Sequence, residues 1–170
     1  MASPASIAKH PVHSMLVAFP IGLWGFALVC DMVRLSGEGE IWSTLAFYSI
    51  AGGLVGAVLA VIPGFIDYLA IDEPALKRTA NFHLSLGLSS AALFALNLWL
   101  RSRVHEGSTV PFLLSIVGVL GVGLGGWLGG EMVYVKGMGV EALDRLARKL
   151  EKEKKQKAGA PARKSLRRAG

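Results

Sequence analysis

Four stretches of this chain carry no Asp, Glu, Lys or Arg: the residues between His13 and Asp31, Ile41 to Ile66, Leu84 to Leu100, and Val110 to Gly130. At about 1.5 Å of rise per helical residue, each is long enough to cross a hydrocarbon core of about 30 Å. Nothing else in the sequence restricts the fold so strongly. A water-soluble core could hide one such run, but not four in succession joined by short polar links. The composition agrees, with 52% hydrophobic residues over 170 positions and a mean hydropathy of +0.49. The expected fold is all-α: an integral membrane four-helix bundle over residues 1–140, followed over 141–170 by a short amphipathic helix and a disordered basic tail.

The cations set the orientation. Lys9, Lys77, Arg78, Lys136 and eleven basic residues from Arg145 to Arg168 fall on one side, and Arg34, Arg101 and Arg103 on the other. The positive-inside rule makes the heavier side cytoplasmic, so both termini are expected inside a bacterial inner membrane. Trp42 begins the second run and Trp99 ends the third, at the outer interface that indoles favour. The segment Met1 to Lys9 is short and polar, and no small-residue cleavage pattern follows the first run, which reads as a retained helix. Cys30 is the single cysteine, so no disulfide can form within the chain.

Ionisable groups inside a membrane are expensive and mark sites by default. His13 opens the first run, Asp67 closes the second, His83 opens the third and Glu131 closes the fourth. In four antiparallel helices these groups form one layer near the cytoplasmic face. Eighteen residues make five turns at about 3.6 per turn, so His13 shares a helical stripe with Asp31, and His83 with Arg101. Gly87, Ser90 and Asn97 fall close to the stripe of His83, giving the third helix a polar seam that should face the bundle. Asp31 and Arg101 are expected to meet at the outer end as a structural ion pair. Pro20 and Pro63 interrupt the first two helices and free the carbonyls of Leu16 and Leu59.

Glycine is concentrated at Gly52, Gly53 and Gly56 in the second helix and from Gly118 to Gly130 in the fourth. Such spacing allows close helix contact, and it would equally make room for a flat cofactor. Helices one and two read as a histidine, an apolar helix, a link and a glycine-bearing helix, and helices three and four repeat that order. Two hairpins related by an axis along the membrane normal would bring His13 and His83 face to face.

The strings His10-Pro11-Val12-His13, Leu16-Val17-Ala18-Phe19-Pro20-Ile21-Gly22, Pro63-Gly64-Phe65-Ile66-Asp67-Tyr68 and Gly129-Gly130-Glu131-Met132-Val133-Tyr134 resemble a bacterial membrane family known as domain of unknown function 2231. The resemblance runs from about His10 to Val140 and leaves out the basic tail. It implies a four-helix fold and, through a loose likeness to membrane b-type cytochromes, haem; it implies no defined activity.

Three readings of the inner layer stand open. In the first, haem b is held by His13 and His83, or by His10 in place of His13, and serves electron transfer with a redox partner. Asp67 and Glu131 would then orient imidazoles or contact propionates. In the second, His10, His13 and His83 with Asp67 or Glu131 bind a transition metal for transport or catalysis. In the third, buried His and carboxylate pairs fix the bundle of a structural subunit, alone or as a homo-oligomer. His105 lies in a loop and adds no second site. Tyr68 and Tyr134 read as interface anchors. Leu143, Leu146 and Leu150 recur among cations, as in a helix lying on anionic lipid. The net charge of +6 belongs mostly to that segment, so nucleic acid is not an expected partner, and no nucleophile with a base or phosphate loop is present.

Overall fold

The computed structural model describes residues 3–37, 39–103 and 108–159, and the side chains of 141–145 and 157–159 are left out of account. His105 and the tail from 160 to 170 lie outside the described residues. The chain is all-α, with four helices of membrane-spanning length and apolarity: Val12–Leu35, Ile41–Leu69, Pro74–Arg101 and Val110–Val135. A fifth helix covers Glu141–Gly159. Two short antiparallel strands, Ser6–Ile7 and His10–Pro11, precede them.

Each helix runs past its charge-free stretch. The third starts at Pro74, so His83 stands well inside it and does not open it. Pro74 sits in the first turn, where a missing N–H costs nothing, and the Glu73 carboxylate caps it by accepting from the Leu76 amide at 3.0 Å. The 29-residue second helix would measure about 43 Å along its axis, so it tilts or stands proud of a core of about 30 Å. The first helix is interrupted at Val17, one turn before Pro20. The fourth finishes in a π-helical turn, Glu131–Val135. Left-handed Gly137, at φ 70°, then ends it, with the Met138 amide donating back to the Met132 carbonyl at 2.9 Å.

The first helix packs against the second and fourth, and the third packs against the same two. Helices one and three therefore stand diagonally, and what they point at each other lies on the bundle axis. The packing is closest within each hairpin. Outward faces carry Val55, Val58, Leu120, Leu124 and Trp127, all exposed, which suits contact with acyl chains and would be a liability in water.

Glycine lets the large core rings in. Trp24 and Phe94 stack on the axis with centroids 4.3 Å apart. A Cβ on Gly53 would lie 2.3 Å from Trp24 Nε1, and one on Gly118 2.7 Å from a Phe94 ring carbon. Gly53→Ala should therefore destabilise the bundle by about 1–3 kcal/mol, because a rigid indole must shift in a packed core. Gly125→Ala, whose Cβ meets nothing closer than Leu86 Cβ at 3.8 Å, should cost well under 1 kcal/mol. Unfolding of the two variants in graded denaturing detergent measures the contrast, and equal losses would contradict it.

The fifth helix continues beyond Lys152 to Gly159, where the composition alone predicts disorder. Oppositely charged Glu151 and Lys155 stand one turn apart there and support a solvated helix. Leu146 and Leu150 remain about half exposed.

Candidate functional site on the bundle axis

A shift of seventy residues carries the axial groups of the first helix onto those of the third: His13 onto His83, Trp24 onto Phe94, Ala27 onto Asn97, and Asp31 onto Arg101. A shift of sixty-five carries Gly53, Gly56, Ala60 and Gly64 onto Gly118, Gly121, Gly125 and Gly129. The contacts repeat along with the positions. His13 Nδ1 bonds the Ala60 carbonyl at 2.8 Å, and His83 Nδ1 bonds the Gly125 carbonyl at 2.8 Å. One turn further on, Gly64 and Gly129 leave space for the imidazoles: a Cβ would come within 2.6 Å of His13 Nδ1 and 3.3 Å of His83 Cε1. The chain is two hairpins of one plan, facing across the axis.

A carbonyl only accepts, so each Nδ1 carries a proton, and in the neutral ring each Nε2 is then the nitrogen with a lone pair. The two rings meet with centroids 6.1 Å apart and planes at 87°. Two imidazoles, each held by a carbonyl of a partner helix, thus share the axis near the end at which the first helix starts and the fourth finishes. Their free nitrogens can accept a proton or bind a metal.

The other candidate residues lie apart from this pair. Asp67, seven residues beyond Ala60, accepts from Ser3 Oγ at 2.8 Å on both oxygens and from the Ala5 amide at 3.0 Å. It ties the N-terminal segment over the end of the second helix. Glu131 is partly exposed and paired with Lys136 at 3.2 Å. His10 is exposed and bonds the Ala8 carbonyl at 2.9 Å, bracing a two-residue turn in which Ala8 and Lys9 both have positive φ. The four groups do not share one depth: at about 1.5 Å per residue, Asp67 and Glu131 lie about 10 Å beyond the carbonyls that hold the histidines. Among the described residues no cluster of three or more His, Cys, Asp or Glu side chains is placed to hold a metal ion.

At the far end, the expected ion pair is present and fully built. Arg101 Nη2 meets Asp31 Oδ2 at 2.5 Å, with the side chains 8% and 0% exposed. Arg101 Nε donates to Asn97 Oδ1 at 2.9 Å, and Asn97 Nδ2 donates to the Pro111 carbonyl and to Ser115 Oγ, each at 2.9 Å. Ser115 Oγ donates to Asp31 Oδ2 at 2.9 Å. Asp31 Oδ1 and the Ser90 hydroxyl are buried and unpartnered among the described residues.

The model of a family described as predicted membrane protein, DUF2231, matches residues 9–142. The chain belongs to that family. The DUF2231 match takes in all four membrane helices and ends as the fifth begins, so both histidine contacts and the Asp31–Arg101 pair fall inside it. No curated protein and no solved structure matches the chain. Membership in DUF2231 makes this a predicted membrane protein, in keeping with its four helices of membrane-spanning length and apolarity, and names no chemistry.

Proposed function

We propose that this protein holds one haem b between His13 and His83, near the membrane face that bears its termini, and uses it for electron transfer. The observation that carries the reading is the pairing of the two imidazoles on the bundle axis. Imidazoles bound from opposite sides to one ion, at about 2.0 Å each, would have centroids about 6 Å apart, close to the 6.1 Å between His13 and His83. Both rings already spend Nδ1 on a carbonyl, the arrangement that fixes metal-ligating histidines and leaves Nε2 as donor atom. Glycine at positions 64 and 129 lets each imidazole lie against the backbone of its partner helix, which fixes where the ring stands.

Haem, held by His13 and His83, would supply a one-electron couple. The chain's own part is to set ligand orientation, exclude water and hold the potential. The Trp24–Phe94 stack closes the axis towards the far end, so electrons would enter and leave at the terminal face. The positive-inside rule puts that face in the cytoplasm.

The test is an absorption spectrum of the protein purified in mild detergent from cells supplied with a haem precursor, oxidised and then reduced, with metal analysis on the same sample. A Soret band with sharp reduced bands is expected. Stoichiometric metal without a Soret band would replace haem by a metal ion, and neither would leave the pair structural.

A further inference from the structure

Arg101 does more than pair with Asp31. Its Nη2 is committed to Asp31 and Ser115, and its Nε to Asn97. Nη1 is the guanidinium nitrogen with no protein partner among the described residues. Arg101 also lines a cavity of about 290 Å³ with Ser43, Thr44, Phe47 and Tyr48. We infer that this cavity binds the phosphodiester of a phospholipid in the leaflet opposite the termini.

The chemistry of the lining selects the ligand. Arg101, Ser43 and Tyr48 offer donors, while Thr44 Oγ1 donates to the Glu40 carbonyl at 3.4 Å, so the ligand must be an acceptor; a guanidinium edge with hydroxyls beside it fits phosphate oxygens. The donor is pre-organised, since Asp31, Asn97 and Ser115, all fully buried, hold the guanidinium from behind. The lipid source follows from position. The cavity lies by the last residue of the third helix and the first turns of the second, the depth of a headgroup. Tyr48 in its lining is exposed, so acyl chains can run along the second helix from there. Trp99, also exposed, marks the same interface.

The experiment is native mass spectrometry of the full-length protein, stripped of lipid in mild detergent and titrated with phosphatidylcholine. That headgroup has no net charge, so the basic tail gives it little electrostatic attraction. One phosphatidylcholine should bind well above the background of further additions. Ser43→Leu with Thr44→Val removes the Ser43 donor and makes the lining apolar and fuller while leaving the ion pair intact, and should weaken that binding about tenfold. Diacylglycerol with the same chains should bind at least tenfold more weakly, and inorganic phosphate at the same concentration should not compete. Unchanged affinity in the double variant, equal binding of diacylglycerol, or displacement by inorganic phosphate would each overturn the assignment.

Discussion

Alanine at Arg101 should destabilise the folded bundle by about 3–5 kcal/mol, the usual consequence of leaving one member of a buried ion pair without its partner. Asp31 is 0% exposed and already has one oxygen without a hydrogen bond, so it cannot turn to water when the guanidinium is gone. Asn97 and Ser115 would lose a shared partner as well. The double variant Asp31→Asn with Arg101→Gln removes both charges and keeps polar groups of similar shape, and should recover most of the loss. Unfolding in graded denaturing detergent of Asp31→Asn, Arg101→Gln and the double variant completes the cycle. Additive single and double losses would mean that the pair is not energetically coupled.

The second large effect concerns the axis at the other end. If haem sits between His13 and His83, His83→Ala should abolish the reduced absorption bands, and His13→Ala should do the same. His10→Ala should leave them in place, because His10 braces its own turn. Gly64→Ala tests the geometry more finely. Its new methyl would press on His13 Nδ1 at 2.6 Å, so the spectrum should shift or weaken while the chain stays folded. Haem retained in both His13→Ala and His83→Ala would dismiss these ligands.

Much of this arrangement was readable from residue spacing. The five-turn interval from His13 to Asp31, repeated from His83 to Arg101, predicts both the facing imidazoles and the remote ion pair, since a straight helix returns to the same face after eighteen residues. The place of Asp67 was not readable. Its partners, Ser3 and the Ala5 amide, belong to a polar segment with no periodicity to mark it as packed. Ser115 was missed because a lone serine in an apolar run gives no sign of which neighbour it meets; only the shift that carries Ile50 onto it places it on the inner face. Gly64 and Gly129 stood out as glycines, yet their purpose needed the imidazoles opposite them. The register of the repeat is also a structural result. The alignment that matches Tyr68 with Tyr134 runs one residue ahead of the one that matches Gly64 with Gly129, and the π turn at Glu131–Val135 supplies the extra residue.

The far-end pair also bears on how the protein is made. Asp31 stands one turn before the end of its helix and seventy residues before Arg101, which at roughly 5–20 residues synthesised per second is an interval of several seconds. During that time the first helix carries an acid that has no base to meet. Its position near the helix end lets it wait among headgroups, and only when the third helix arrives can both side chains move inward together. The pair therefore cannot form before the third helix exists, and once formed it ties the first half of the chain to the second.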